Sequence, residues 1–320
     1  MINFKPITTK NRDIYQRFFS DNIGRGCETS FATLNIWGTH EYAIVHEQLV
    51  IFSLYNGHYL YYYPLGDGDK KAVIDAIIED SKERNIPCCI IALYDDAAQT
   101  LKNLYNDTFT IRSDRAAFDY VYDINDLADL QGRKYHKKRT HYNHFRKAFP
   151  EYKALPINSD NLLMIKPMFE KWYAERLADN PENDYSSEQN AIENALKNYD
   201  ELNMEGLILL EHDDKKQSEA DMDNNVPAVT NASNRILAVT LGSQLSADTF
   251  DVHFEKARWD VDGAYTVINT EFARYIRSKY PHIKYLNREE DMGLEGLRRS
   301  KESYYPHHMI EKSIAILNTN

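Results

Sequence analysis

The chain has 320 residues and a formal net charge of -11, which excludes indiscriminate binding of nucleic acid by its whole surface and leaves room only for a local basic site. An apolar fraction of 42%, with 23 Tyr and 13 Phe, describes a folded protein, and the length favours two cores over one. The longest apolar run, residues 86–94, is far short of the roughly 20 residues of a membrane-spanning helix, the amino terminus lacks a signal-peptide core, and three cysteines make no full disulfide set, so a reduced, cytoplasmic setting is expected.

In the first half, residues 41–65 predict two or three strands, with a turn at Asn56-Gly57 and an end at Pro64. A helix follows over 69–84, with Ala72, Val73, Ala76 and Ile77 at helical spacing. Residues 86–94 read as a buried strand in which Cys88 and Cys89 point to opposite faces as core residues, and a second helix covers 97–105. The second half repeats this order. GLILLEH and RILAVTLGSQL predict two strands, DTFDVHFEKA a third, 264–279 a helix, IKYLN a strand, 294–302 a helix and HHMIEKSIAIL one closing strand. The repeated order suggests an internal duplication of one module. The resulting division is residues 1–130, a linker at 131–150, and residues 151–320 with a mobile polar insertion at 211–234.

The charge is segregated. Arg133, Lys134, Lys137, Lys138, Arg139, Arg146 and Lys147 gather where no acid occurs between Asp129 and Glu151. If this stretch is helical, Tyr135, Tyr142, Phe145 and Phe149 form a buried stripe and the cations face outward, repelling one another by about 0.2–0.5 kcal/mol per close pair. An anionic partner removes that cost: RNA, an anionic lipid surface or a nucleotide cofactor. His136, His141 and His144 have no carboxylate or cysteine nearby, so no metal is expected there. A second dense stretch, residues 285–306, crowds Asn287, Arg288, Asp291, Arg298 and Lys301 with Tyr304 and Tyr305 at a strand end and the following helix. Ligands of α/β folds sit at such strand ends. The helix dipole alone accounts for acids first and bases last.

VHFEKA (252–257), GAYTVINTEFARY (263–275) and YLNREEDMGLEGLRRSKESYYP (285–306) resemble a family of uncharacterised bacterial proteins related to the carboxyl-terminal domain of phosphatidylglycerol lysyltransferases. GRKYHKKRTHYNHFRK (132–147) is similar to that family's linker. The resemblance implies two tandem GNAT-like (acyl-CoA N-acyltransferase) modules of α/β (α+β) class, each a mixed, mostly antiparallel sheet flanked by helices, the second catalytic. It also implies aminoacyl transfer from aminoacyl-tRNA to a lipid head group, a peptide or a small molecule, without an intrinsic cofactor. The basic segment would then contact tRNA phosphates, with anionic lipid as a peripheral contact.

An acetyl-CoA enzyme of this fold carries a glycine-rich loop at a helix start. The corresponding loop here, KARWDVDGAY (256–265), offers only Gly263 and two aspartates, and GDGDKK (66–71) matches no phosphate loop. The expected set is Glu255 as base, Asp291 for the donor's amino group, Arg298 and Lys301 for the oxyanion or the donor's ribose-phosphate, and Tyr304 as proton donor. Asn287, Arg288 and Tyr265 are expected to bind substrate. Two rivals are a CoA-thioester N-acyltransferase and a non-catalytic RNA-binding or regulatory module.

Overall fold

The computed structural model describes residues 1–19, 25–55, 57–211 and 235–318. Asn56 and, apart from Glu211, the predicted insertion at 211–234 lie outside the described residues.

In chain order the elements are β1 (Lys5–Pro6), α1 (Arg12–Phe19), α2 (Phe31–Ile36), β2 (Thr39–Val45), β3 (Gln48–Tyr55), β4 (His58–Tyr62), α3 (Lys70–Arg84), β5 (Cys89–Leu93), α4 (Asp95–Tyr105) and β6 (Phe109–Ser113). There follow β7 (Asp119–Asp123), α5 (Ile124–Asp129), α6 (His136–Ala148), β8 (Lys153–Pro156), α7 (Lys166–Asp179), α8 (Ser186–Lys197) and β9 (Glu205–Glu211). The last are β10 (Arg235–Gln244), β11 (Thr249–Ala257), α9 (Ala264–Lys279), β12 (Tyr285–Asn287), α10 (Glu295–Glu302), β13 (His308–Ile310) and β14 (Ser313–Leu317).

Local chemistry explains the better-defined ends. Asp69 caps α3 by accepting from the Lys71 and Ala72 amides, and Asn85, in the left-handed region at φ 56°, stops it. Gly263 enters α9 at φ 80°, and a β-carbon there would lie 2.5 Å from the His141 carbonyl oxygen. Glycine is thus required both by the backbone and by the approach of α6.

Two mixed, mostly antiparallel sheets form, in the orders β1-β2-β3-β4-β5-β14-β6 and β13-β7-β12-β11-β10-β9-β8. Each has one corresponding parallel pair, β4 with β5 and β11 with β12, joined by α3 and α9 respectively. Val50, Tyr61, Val73, Ile77, Ile90 and Leu101 build the core of the first module. In the second, Tyr122, Phe145, Phe250, Val267, Phe272 and Leu286 pack between the sheet and α9. Its opposite face is covered by α7, α8 and, from the other half of the chain, α2. Each such fully buried aliphatic or aromatic side chain contributes about 1.5–3 kcal/mol.

Two expectations are corrected. The sheets do not divide at residues 130 and 151, because β7 belongs to the second sheet and β14 to the first. For the same reason HHMIEKSIAIL is not one strand. It crosses between sheets at Glu311-Lys312, where the Lys312 ammonium is buried between Glu28, Asp119 and Glu290 at 2.9, 2.8 and 2.8 Å. That charge cluster, drawn from distant parts of the chain, holds Lys312 at the step between the two strands.

Candidate functional site

β11 and β12 pair in parallel only from Thr249 to Asp251 and from Tyr285 to Asn287. Beyond that point β11 stays with β10 as far as Ala257, while β12 ends and the chain turns through residues 288–291. The strands part, and charged side chains occupy the opening. The Glu255 carboxylate accepts from Arg288 Nη2 at 2.8 Å and from Asn269 Nδ2 at 3.3 Å. Arg288 Nη1 is buried and has no partner among the described residues, a donor that needs an acceptor. The guanidinium lies 5.0 Å from the Tyr304 ring centroid and 5.7 Å from that of Tyr122. Burial opposes its charge, but Glu255, Tyr122 and Tyr304 outweigh burial and hold it cationic.

From the other side α6 sends in Lys138, whose amine is 3.6 Å from the Tyr304 centroid. Burial, with Arg288 adding to it and Glu255 opposing, lowers that amine to about 8. A cation with this pKa exchanges protons near neutrality. Glu255, Arg288, Lys138 and Tyr304 therefore form one cluster, and Tyr265, 39% exposed, lies in the first turn of α9 beside it.

The loop after β12 distributes four consecutive charged residues to four places. Arg288 faces Glu255. Glu289 meets His253 at 3.2 Å, Glu290 meets Lys312 at 2.8 Å, and Asp291 accepts from Arg298 at 2.8 and 3.0 Å. Glu289 holds a left-handed backbone at φ 56°, which disfavours a residue with a β-carbon. Asn287 Oδ1 accepts its amide at 2.7 Å, and the Tyr120 amide donates to its carbonyl at 3.2 Å. Lys301 donates to the Arg288 and Glu290 carbonyls from α10, clipping the loop from behind.

These contacts reassign part of the sequence-derived set. Asp291 is saturated by Arg298, by Tyr120 at 2.6 Å and by Arg115 at 3.3 Å, so its carboxylate holds the chain and not a ligand. The Arg298 hydrogen bonds, with Tyr120 and the Gly293 amide assisting, keep it far below the usual carboxylate range against the effect of burial. Arg298 is correspondingly committed. Lys301, 7% exposed and lowered by burial to about 8, spends its ammonium on carbonyls. Tyr304 is 3% exposed, and among the described residues its hydroxyl donates to Thr266 at 3.5 Å. It is a wall of the opening in place of the expected proton donor. Asn287 is buried and donates to Asp119 at 2.8 Å, which makes it a support for the loop and for the interface between modules.

The basic segment is helical as predicted, with Tyr135, Tyr142 and Phe145 buried. Its cations do not all face outward. Lys138 enters the opening, Arg139 donates to the Leu130 and Gly132 carbonyls, and Lys134 pairs with Asp126 at 2.9 Å. Arg133, Lys137, Arg146 and Lys147 are exposed. The loop before α9 is closed on itself: Asp260 is held by Arg258 and Arg235, Asp262 meets His141 at 3.2 Å, and α6 covers Gly263.

Two further groupings lay outside the sequence-derived set. One surrounds Lys312, with Cys27, Glu28, Asp119 and Glu290, at the edge of a cavity of about 510 Å³ bounded also by Ile91, Arg112 and Ile314. Burial raises Glu290 to about 7, with Lys312 pulling the other way. The other comprises Ser243, Asp251, His253 and Glu289. Its sequence signal was Asp251-x-His253 inside a strand otherwise Phe-Val-Phe. That alternation also puts Glu255 on the same face, and only a bulge separates them.

Residues 23–316 match the family described as phosphatidylglycerol lysyltransferase, C-terminal. The chain belongs to this family. A conserved protein of unknown function from Bacteroides thetaiotaomicron VPI-5482 is 33% identical over 99% of this chain and 100% of its own, with a TM-score of 0.86. L-PGS from Bacillus licheniformis shares the fold at 11% identity, over 99% of this chain and 94% of its own, with a TM-score of 0.63. A tandem GNAT protein from the clavulanic acid biosynthesis pathway does so at 8% identity, over 100% of both chains, with a TM-score of 0.53. Among curated proteins, none matches the chain significantly. The fold is thus a tandem GNAT arrangement, and family and fold together support acyl transfer as the reaction class. No helix among the described residues is long and apolar enough to cross a membrane.

Proposed function

We propose that the protein transfers an aminoacyl group from aminoacyl-tRNA to an amine or hydroxyl acceptor, in the opening between β11 and β12. The observation that supports this reading is that α6 both carries exposed cations and reaches into the opening. Lys137, Arg146 and Lys147 are exposed on it for a polyanion, while the neighbouring Lys138 reaches Tyr304 inside the opening. A CoA thioester has less support, because the α9 start, where pyrophosphate would lie, is covered by α6 and flanked by Asp260 and Asp262.

The chemistry balances on these residues. The acceptor nitrogen or oxygen forms its bond to the ester carbonyl carbon and gives its proton to Glu255. The carbonyl oxygen gains charge opposite Arg288 Nη1, the unpartnered donor. The bond to the ribose oxygen breaks, and that oxygen takes a proton from the Lys138 ammonium. Lys301 and Asp291 act through the loop they hold, and Tyr304 supplies a face for the lysine.

The test is filter binding and single-turnover transfer with total bacterial tRNA, charged and uncharged, beside a variant carrying Lys137→Ala, Arg146→Ala and Lys147→Ala. We expect tight binding that weakens with salt, the slope falling by about one for each phosphate contact removed. No binding at low salt overturns the tRNA reading and puts the CoA thioester first. Salt-dependent binding without transfer to any amine or hydroxyl acceptor would leave an RNA-binding module.

A further inference from the structure

On the face of the second sheet opposite Glu255, we infer a binding site for one divalent transition-metal ion, with Asp251, His253 and Glu289 as its ligands. The starting point is a register shift. Leu241 pairs with Phe254 and Gly242 with Val252, so His253 is left out of the ladder as the extra residue of a bulge. Bulges turn a side chain away from the face its sequence position assigns, and they recur at functional sites. Here the bulge leaves the His253 imidazole on the face of Asp251 and sends Glu255 to the α9 side.

His253 Nε2 is hydrogen-bonded to Ser243 Oγ at 2.8 Å. Its other nitrogen, Nδ1, lies 3.6 Å from Asp251 Oδ2 and 3.2 Å from Glu289 Oε1. The three groups offer ligand atoms within 4.8 Å of one another. Bonds of about 2.1 Å to nitrogen and carboxylate oxygen place tetrahedral ligand atoms roughly 3.4 Å apart, close to both observed separations. A hydrogen bond on the second imidazole nitrogen is the usual device for aiming a ligating histidine.

The decisive observation is Asp251. It is fully buried, and neither carboxylate oxygen has a hydrogen-bond partner among the described residues. His253 Nδ1 stands 3.6 Å from Asp251, beyond hydrogen-bond reach, so the buried carboxylate carries the cost of an unpaired polar group. An ion between the three satisfies all of them. One imidazole with two carboxylates suits Zn2+, Mn2+ or Co2+ better than Mg2+ or Ca2+, which prefer oxygen alone. The neighbouring group of Cys27, Glu28, Asp119 and Glu290 is not such a site, since the Lys312 ammonium fills its centre.

The test is independent of turnover. Full-length protein is stripped with a chelator, titrated with Co2+, followed by visible absorption, and back-titrated with Zn2+. The expected result is one Co2+ per chain, displaced by one Zn2+, with affinity lowered about 10-fold in Ser243→Ala, more in Glu289→Gln, and lost in His253→Ala. Circular dichroism identifies variants that fold, and the partly exposed Glu289 makes Glu289→Gln the variant least at risk. Absence of saturable Co2+ or Zn2+ binding by the folded wild type overturns the site, as does binding undiminished in folded Glu289→Gln.

Discussion

The two modules contain corresponding pairs of parallel strands and surround them differently. In the first, β4 and β5 pair at Tyr61–Ile90 and Tyr62–Ile91, and Lys70 at the start of α3 turns its ammonium inward to Gln48 Oε1 and to the Pro64 and Gly66 carbonyls at 2.9 and 2.7 Å. That lysine is spent on its own chain. In the second, Lys138 arrives from a helix outside the strand-helix-strand unit, rests on an aromatic ring, and faces an arginine with a free donor. In the first module the helix start is tied down by internal hydrogen bonds. The other keeps a donor unpaired among the described residues, as the proposed transfer requires.

The sharpest way to break this contrast is Arg288→Lys, which keeps the charge and removes the forked donor. Single-turnover transfer should fall on the order of 100-fold, with the folded state retained by circular dichroism; transfer unchanged would take the reaction out of this opening. Next in size is the pH profile. Lys138 is an ammonium below about 8 and loses its proton above it, so transfer should decline through pH 8. Lys138→Arg should lower the rate about 10-fold or more and abolish that descending limb, measured from pH 6 to 10.

The first module is probed by Lys70→Met, expected to leave transfer within about two-fold while costing about 2 kcal/mol in urea denaturation, because the three acceptors of a charged donor lose it. Lost transfer in a fully folded Lys70→Met protein would make the first module part of the reaction. The smallest effect concerns Glu290. Its folded pKa is raised from 4.5 to about 7 by burial, so the folded state binds more protons than the unfolded one between those values. Stability should therefore fall as pH rises from 4.5 to 7. In Glu290→Gln that component should be absent, seen as a flatter Tm against pH.

Much of the architecture was legible because period alone determines it. The helix at 69–84 and the strand at 86–94 follow from apolar spacing, and both appear within a few residues of their predicted ends. Glu255 and Arg288 were legible as charges at a strand end, but not their pairing, since 33 positions separate them. Lys301 and Asp291 read as reactive because a sequence shows charge and not its neighbours. Only the fold reveals that carbonyls and Arg298 consume them. The bulge at His253 was invisible, because strict alternation puts Asp251, His253 and Glu255 on one face. Lys312 was hidden because its burial depends on acids more than 20 residues away or in the other half of the chain.

The clip that Lys301 places on residues 288–291 ties Arg288 to Glu290 through a few rigid backbone atoms. A molecule seated against Glu290 in the cavity and one seated against Arg288 in the opening press on the same short segment. If either shifts it, thermodynamic reciprocity requires that each alter the other's affinity by an identical factor. A protein that must bring two reactants together would thereby sense from one pocket whether the other is filled, through the loop's position alone.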